Sequence, residues 1–389
     1  MIYALIIGFI TAIVSFTFNL IVNQLIFAIL TLNDYFFNAL YFPVLGGILL
    51  GLMNKYLITK NRAFEVVAIE AEIVNIEEHI LEVKSVLLKM LASIISLCFG
   101  FSLGKQGTVV YLGGAIGSYI GYHGKKSPEE IKTMIGCGVA GMISGIFGMP
   151  ILGIVFVSEV ILKKRKIRRT VLISITSMVT FIISHFILKA ETFITLFNKK
   201  DLILDFNLYH LLILGIFTGV IALLYTTSIK KTPKKYLKKY PLMTPIIASL
   251  IITVVGINMK WIYSMHFDSL KFLYFEEQVS FLLIFLLIKI LITGVSYNFG
   301  GYGGVFLPGI VMGVVLGKIF FLLTGYGNIS SSMILAIAGV FAGFSGGPIT
   351  GIILGFSLSG YNFLLLLPLS IVCFIAYFIV KKSKIGFIY

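Results

Sequence analysis

The chain has 389 residues, of which 58% are hydrophobic and only 12% are charged. Soluble proteins carry charges on about a quarter of their residues, so this composition excludes an ordinary soluble domain and indicates a membrane protein. The net charge of +15 comes from basic clusters beside apolar segments, without interleaved aromatic residues, which argues against a nucleic-acid-binding protein.

Long apolar stretches follow one another along the chain and predict about ten or more helices in a single membrane domain, 1–389. Met1 opens directly onto the first stretch without a basic start, so we expect this stretch to stay as a helix and not to be removed as a signal peptide. We also expect no cytoplasmic regulatory domain. The stretches are 1–31, 36–54, 85–103, 133–162, 170–189, 208–229, 243–257, 279–297, 306–324, 332–358 and 362–380.

Basic residues gather in four clusters, each next to an apolar stretch. Such clusters mark cytoplasmic loops, so we expect all four on one side of the membrane, with both chain termini there as well. Contact of the same clusters with anionic lipid is a further possibility. The clusters are Lys55–Arg62, Lys163–Arg169, Lys230–Lys239 and Lys381–Lys384.

The second half of the chain repeats the first in two gapless matches, one at a shift of 200 residues and one at a shift of 198. Similar small-residue packing in unrelated helices is the alternative explanation. With the basic clusters on one side, the halves 1–199 and 200–389 enter the membrane in opposite senses. The predicted fold is therefore an all-α polytopic membrane protein with two inverted-topology repeats and broken, re-entrant helices. Paired residues are Gly104/Gly304, Gly113/Gly313, Gly117/Gly317, Gly141/Gly339, Gly145/Gly343, Gly148/Gly346 and Pro150/Pro348.

Each half also contains an irregular glycine-rich segment that leads into a helix, Gly104–Thr108 in the first and Gly304–Pro308 in the second. A helix start leaves N–H groups unpaired and carries a partial positive charge, and inside a membrane such groups are tolerated where they line a cavity or bind a ligand. Two facing starts predict an anion site near the middle of the membrane. For either segment alone, glycine-mediated helix packing would be the simpler interpretation.

Four motifs, GKQG, GGVFLP, GIFGMPILGIVFVSEV and the ending GGPITGIILGFSLSGYNFLLLLP with KSKIGFIY, resemble the CLC chloride channel and transporter family. The resemblance covers nearly the whole chain and is weakest over 61–84 and 200–275. It implies a homodimer in a bacterial cytoplasmic membrane, with a separate pathway for chloride or another small anion in each subunit and no cofactor. It also implies a gating glutamate and side-chain hydroxyls at the anion site.

The gate motif departs from the family pattern. Gly104, Lys105 and Gly107 match it and are expected near the anion, but Gln106 stands at the position of the gating glutamate and Thr108 at that of a proline. A glutamate can block an anion site when ionised and release it when protonated, whereas Gln106 cannot titrate. Its amide can still donate a hydrogen bond to an anion.

A second position used by proton-coupled members of the family also lacks its carboxylate. The resemblance places Val160 at the position of their inward-facing glutamate, directly after Glu159. Glu159 is expected to serve a helix end near Lys163 and Lys164, by an ion pair or a cap. A proton role for Glu159 is the alternative, because buried carboxylates in membranes are often functional.

The second-half motif is intact. Gly304, Val305, Phe306 and Leu307 keep the family pattern, in which backbone N–H groups at the Val305 and Phe306 positions face the central anion. Tyr389 matches the family tyrosine whose hydroxyl faces the same anion. A frayed end is the alternative for this last residue.

The inner mouth of the pathway differs most from the family, which has a serine there. Phe64 or Glu65 occupies the place of that serine, within an acidic segment that runs to Glu82. A negative mouth would oppose anion entry. The favoured interpretation is an amphipathic helix whose carboxylates face the cytoplasm or the basic loops.

These departures predict passive, proton-uncoupled anion permeation. The alternatives are a proton-coupled antiporter of chloride or fluoride that uses a non-standard carboxylate, such as Glu65 or Glu159, and a non-conducting protein of the same fold. Neither an enzyme nor a metal site is expected, because the five histidines are scattered and the three cysteines lie in apolar runs.

Overall fold

The computed structural model describes residues 1–36, 41–58, 65–76, 81–163, 166–190, 207–231, 235–259, 262 and 272–389. Seven helices in these ranges are long and apolar enough to cross a membrane, and five shorter apolar helices accompany them. The predicted all-α membrane architecture is therefore confirmed. The predicted boundary between the halves, near residues 199 and 200, lies outside the described ranges.

The helices form two series. The first is α1 Ile2–Phe36, α2 Tyr41–Leu52, α3 Glu65–Val74, α4 Val83–Cys98, α5 Lys105–His123, α6 Pro128–Phe147, α7 Pro150–Phe156 and α8 Ile167–Ile182. The second is α9 Leu208–Lys231, α10 Lys235–Lys239, α11 Met243–Asn258, α12 Val279–Asn298, α13 Phe306–Thr324, α14 Ile329–Ser345, α15 Pro348–Leu358 and α16 Leu366–Lys382. Three helices of the first series continue into π-helical turns, α2 into Met53–Leu57, α7 into Val157–Ile161 and α8 into Ile183–Ile187.

Two predicted single segments, 133–162 and 332–358, are each two helices. Gly148 ends α6 with φ +70°, and Gly346 ends α14 with φ +74°, a conformation that favours glycine. Pro150 and Pro348 then open α7 and α15, because proline is tolerated at a first helical position, where no N–H partner is needed. Hydropathy alone missed both breaks because apolar residues continue across them.

Equivalent helices of the two halves make equivalent contacts. Helix α5 packs on α6 as α13 packs on α14, and α1 packs on α6 as α9 packs on α14. The repeated glycines allow close approach: a Cβ on Gly113 would lie 2.4 Å from the carbonyl oxygen of Gly138, and one on Gly313 would lie 2.4 Å from Cα of Ile337. The inverted repeat is thus built from matching helix pairs.

The two halves are joined at their centre. Gly104 and Gly304 exchange backbone hydrogen bonds of 2.7 and 2.6 Å in an isolated antiparallel bridge. Ser96 Oγ accepts a bond of 2.9 Å from the Tyr302 N–H, and at the equivalent place Ser296 Oγ accepts one of 3.1 Å from the Ser102 N–H. These reciprocal bonds hold the starts of α5 and α13 against each other.

Helix α6 has a defined start away from this centre. Ser127 and Glu130 form a capping box at the start of α6, with Pro128 at its first position. Within the described residues no group of side chains could hold a metal ion, and all three cysteines are free.

Candidate anion site

A small cavity lies where the starts of α5 and α13 meet. Its volume is about 10 Å³, which is close to the room that one water molecule needs. It brings together four residues that the sequence predicted to share a site, Gln106, Gly107, Phe306 and Tyr389. The complete lining is Val66, Gln106, Gly107, Val110, Ile143, Phe147, Phe156, Phe306 and Tyr389.

Both helix starts at the cavity are fixed by the fold. Gly104 is extended, with φ −112° and ψ +152°, and its bond to Gly304 sets the distance between the two starts. The Tyr225 hydroxyl on α9 donates a bond of 2.7 Å to the Val305 carbonyl, which fixes the start of α13. Because a helix start carries a partial positive charge and unpaired N–H groups, two such starts can stabilise an anion between them.

Gln106 contributes a buried polar side chain to the cavity. It is 2% exposed, and its Oε1 atom has no hydrogen-bond partner among the described residues. This oxygen lies over Gly104, since a Cβ added there would be 2.8 Å from it and 2.6 Å from Cβ of Leu307. A buried, unpaired amide oxygen costs about 1–3 kcal/mol, which favours a ligand or a water beside Gln106.

Aromatic rings form another part of the wall. The ring of Phe306 packs on Phe147 at 5.1 Å and on Phe341 at 4.5 Å between centroids. Tyr389 packs edge-on against Phe156 at 6.5 Å, and the neighbouring Ile388 N–H donates a 2.8 Å bond to the Phe344 carbonyl. The end of the chain is therefore held at the cavity and is not frayed.

Other predicted anion-binding residues lie beside the cavity and not in its lining. Lys105 points to α1, where its Nζ donates to the side-chain oxygens of Asn19 and Asn23, the latter at 3.1 Å. The remaining four form the backbone frame of the two helix starts and are Gly104, Gly304, Val305 and Leu307.

The inner-mouth prediction is only partly covered by the structure. Phe64 lies outside the described residues, and so does the side chain of Glu65, which begins α3. The structure places the next residue, Val66, in the cavity lining. An apolar side chain that the prediction did not include thus occupies this wall.

Glu159 serves a helix end, but not the one that was expected. Its carboxylate accepts bonds from the Ile349 N–H at 3.1 Å, the Thr350 N–H at 2.7 Å and the Thr350 hydroxyl at 2.6 Å, so it caps α15. The predicted partner Lys163 pairs instead with Glu70 at 2.7 Å. Val160 is buried and carries no titratable group.

The sequence-based predictions missed four buried charged residues among the described ones. They are Glu72, Lys89, Lys289 and Lys318, each at most 2% exposed. The prediction that carboxylates after Glu65 face the basic loops agrees with the Glu70 ion pair but is wrong for Glu72, which turns inward to α5. The shift of 200 residues also pairs Lys89 with Lys289, so the repeat itself was a signal for the two lysines.

Comparison with known proteins places this geometry in a family context. The voltage gated chloride channel family matches residues 46–381. The H(+)/Cl(-) exchange transporter ClcA of Klebsiella pneumoniae is 25% identical over 385 residues, covering 91% of this chain and 79% of ClcA; that of Salmonella arizonae is 24% identical over 404 residues, covering 95% and 83%.

Solved structures show the same fold. A slow cyanobacterial Cl-/H+ antiporter superposes with a TM-score of 0.83 at 19% identity, covering 99% of this chain and 95% of the other. A CLC-type fluoride/proton antiporter superposes with a TM-score of 0.79 at 20% identity, covering 100% and 96%.

Proposed function

Because the chain belongs to the voltage gated chloride channel family, we propose that it carries a small anion, with chloride as the default, across the membrane in exchange for protons. The observation that carries the anion part is the cavity between Gln106, Phe306 and Tyr389, at the meeting point of two helix starts. In an apolar interior the partial charges of helix starts act with little screening, which favours a dehydrated anion.

The proposed exchange for protons replaces the passive, proton-uncoupled permeation that the sequence predicted. It is supported by the names of the similar proteins, since ClcA is named as an H(+)/Cl(-) exchange transporter. The similarity to a fluoride/proton antiporter makes fluoride the second anion to test. Passive permeation is the second candidate, favoured by the absence of a titratable group at both Gln106 and Val160.

We further propose a homodimer in a bacterial cytoplasmic membrane, with one complete pathway in each subunit. The orientation follows the basic clusters, which puts both termini and the Lys163–Glu70 pair at the cytoplasmic face. Cross-linking of the purified protein in membranes should give a dimer and no larger species. Labelling of a cysteine introduced beside Lys381 should occur from the cytoplasmic side alone.

The transport proposal is tested in liposomes loaded with chloride. We expect chloride efflux together with proton movement in the opposite direction. Val66→Trp, which fills the cavity, should abolish both fluxes, whereas Leu323→Trp at an exposed position near the end of α13 should change neither. Efflux without proton movement would select the passive candidate, and absence of efflux of either chloride or fluoride would reject both.

A further inference from the structure

The tail of the chain, residues 383–389, follows α16 and reaches the anion cavity without forming a helix or a strand. Tyr389, at its end, is part of the cavity lining. A helix fixes its residues through its own backbone hydrogen bonds, but an irregular segment is fixed by contacts with other parts of the protein. The position of Tyr389 therefore depends on what holds the tail.

A ring contact holds the middle of the tail. The ring of Phe387 stacks on that of Tyr377 in α16, with 5.1 Å between the centroids and 12° between the planes. The same ring lies against Gly346, where an added Cβ would be 2.7 Å from Cγ of Phe387. Phe387 thus joins the tail to α16 and to the turn between α14 and α15.

Two hydrogen bonds hold the tail on either side of this ring. The Nζ atom of Lys230, near the end of α9, donates a bond of 3.1 Å to the Ile385 carbonyl. The Ile388 N–H donates a bond of 2.8 Å to the Phe344 carbonyl on α14. Because the second bond directly precedes Tyr389, the backbone of that residue has little freedom while the tail is in place.

Phe344 and helix α9 also connect the tail to the start of α13. Tyr225 on α9 donates its bond to the Val305 carbonyl, directly before Phe306, and packs edge-on against Phe344 at 5.4 Å between ring centroids. The Phe344 ring in turn meets the ring of Tyr389 edge-on at 6.4 Å. The helix that fixes the start of α13 therefore also fixes the tail.

We propose that Phe387 and Lys230 are positioning residues of the anion site, which hold Tyr389 at the cavity through the tail. This role rests on the proposed anion transport and places part of the control of anion affinity outside the cavity. An anion binds more tightly to a neighbour that is already in position, because no ordering is needed. Release of the tail removes that neighbour but leaves the Gly104–Gly304 bridge, which does not involve the tail.

The main test measures chloride efflux from liposomes over a range of internal chloride concentrations, which separates KM from the maximal rate. Phe387→Ala and Tyr389→Ala should each raise KM on the order of tenfold, because both remove the Tyr389 side chain from the anion. The maximal rate should change by less than about twofold, as expected when a binding contact is lost. Phe387→Tyr, which keeps the ring, should restore the wild-type KM.

The lysine contact is tested by a smaller change. Lys230→Met should raise KM about threefold, since the bond to the Ile385 carbonyl lies at an exposed position. Lys230→Arg should restore the wild-type value. Lys382→Met is the matched control, because it removes the same charge from an exposed position at the end of α16, and it should leave KM unchanged. An equal effect of both methionine variants would show attraction of the anion by charge alone and overturn the positioning role of Lys230.

A second readout follows the tail itself, without transport. Ile388→Cys places a thiol at a position that is 8% exposed, so a water-soluble thiol reagent should label it slowly. Adding Phe387→Ala should speed this labelling at least about tenfold, since release of the tail exposes residue 388 to water. Labelling of the protein without Ile388→Cys gives the background from the three native cysteines.

A double variant tests whether Phe387 acts through Tyr389. In a Tyr389→Ala background, Phe387→Ala should change KM by less than about twofold, because the residue that it positions is already gone. Additive effects on KM, an unchanged KM in the single Phe387→Ala variant, or unchanged labelling of residue 388 each overturn the proposal while wild-type transport stands. A wild type that releases neither chloride nor fluoride rejects the proposed transport, and the affinity role of the tail with it.

Discussion

The first turns of α5 and α13 occupy equivalent places in the two halves but contribute different chemistry. Gly104 and Gly304 form the same backbone contact in both directions. Two residues later, the first half presents the amide of Gln106, with an unpaired oxygen, and the second presents the ring of Phe306, packed between other rings. The repeat thus supplies a symmetric backbone frame beside the cavity, and the side chains at this position make one side polar and the other apolar.

The buried lysines of the two halves differ in the same way. Lys89 lies on the ring of Tyr111 near Glu72, whereas the Nζ of Lys289 donates a 2.9 Å bond to the backbone carbonyl of Ile262. The two halves therefore place their buried ammonium groups against different partners, an aromatic ring in the first half and a backbone carbonyl in the second.

Replacing the glycines at the close helix contacts is the strongest test of the frame that the two halves share. Gly113→Leu and Gly313→Leu should each lower the free energy of unfolding by about 3 kcal/mol, because the added side chain meets backbone of the facing helix. Thermal unfolding of the purified protein measures this loss, with Leu323→Ala at an exposed position near the end of α13 as the control. If the losses of unfolding free energy in the two glycine variants differ by more than about 1 kcal/mol, these helix contacts contribute unequally to stability in the two halves.

Gln106→Glu tests how the side chain at the polar side of the site affects chloride efflux. An ionised carboxylate beside the cavity repels the anion, so chloride efflux at neutral pH should fall at least about tenfold. Efflux should recover as the pH falls, because the protonated carboxyl carries no charge. Gln106→Met should lack this recovery. Wild-type efflux from the Gln106→Glu variant at neutral pH would place the anion path elsewhere.

Removing either of the reciprocal serine hydrogen bonds should have a smaller effect on stability. Ser96→Ala leaves the Tyr302 N–H without its partner, and Ser296→Ala does the same to the Ser102 N–H. Each change should lower the free energy of unfolding by about 1–2 kcal/mol, since a buried donor loses its bond. Chemical denaturation compares the two, with Ser174→Ala on the half-buried face of α8 as the control. If only one of the two serine substitutions lowers the free energy of unfolding, the central contact is asymmetric in energy as well as in side chains.

The smallest expected effect concerns a cap that is found in one half. Glu159 caps α15, whereas Ser357, its equivalent at a shift of 198 residues, has a buried hydroxyl with no partner among the described residues. Glu159→Gln should reduce the free energy of unfolding by about 1 kcal/mol or less, because one amide oxygen can still accept a bond from the helix start. Proton movement in liposomes should stay at the wild-type level, and its loss would return the proton role to Glu159.

Local sequence features were sufficient to predict the membrane helices and the repeat. Apolar stretches of sufficient length predict helices in a membrane, and glycines repeated at shifts of 200 and 198 residues predict an inverted repeat, because both signals depend on composition and order alone. The meeting place of the two helix starts, which is the candidate anion site, was predictable for the same reason: a glycine-rich helix start inside an apolar run is recognisable wherever it occurs.

Only the tertiary structure decided which side chains meet. Glu65, Glu70 and Glu72 read as one acidic segment, yet Glu70 pairs with a surface lysine while Glu72 is buried against Ser118. Val66 reaches the cavity, and Glu159 caps a helix nearly 200 residues away. Such contacts depend on how α3, α7 and α15 pack against their neighbours. The sequence around a carboxylate does not show whether a neighbouring helix or water surrounds it.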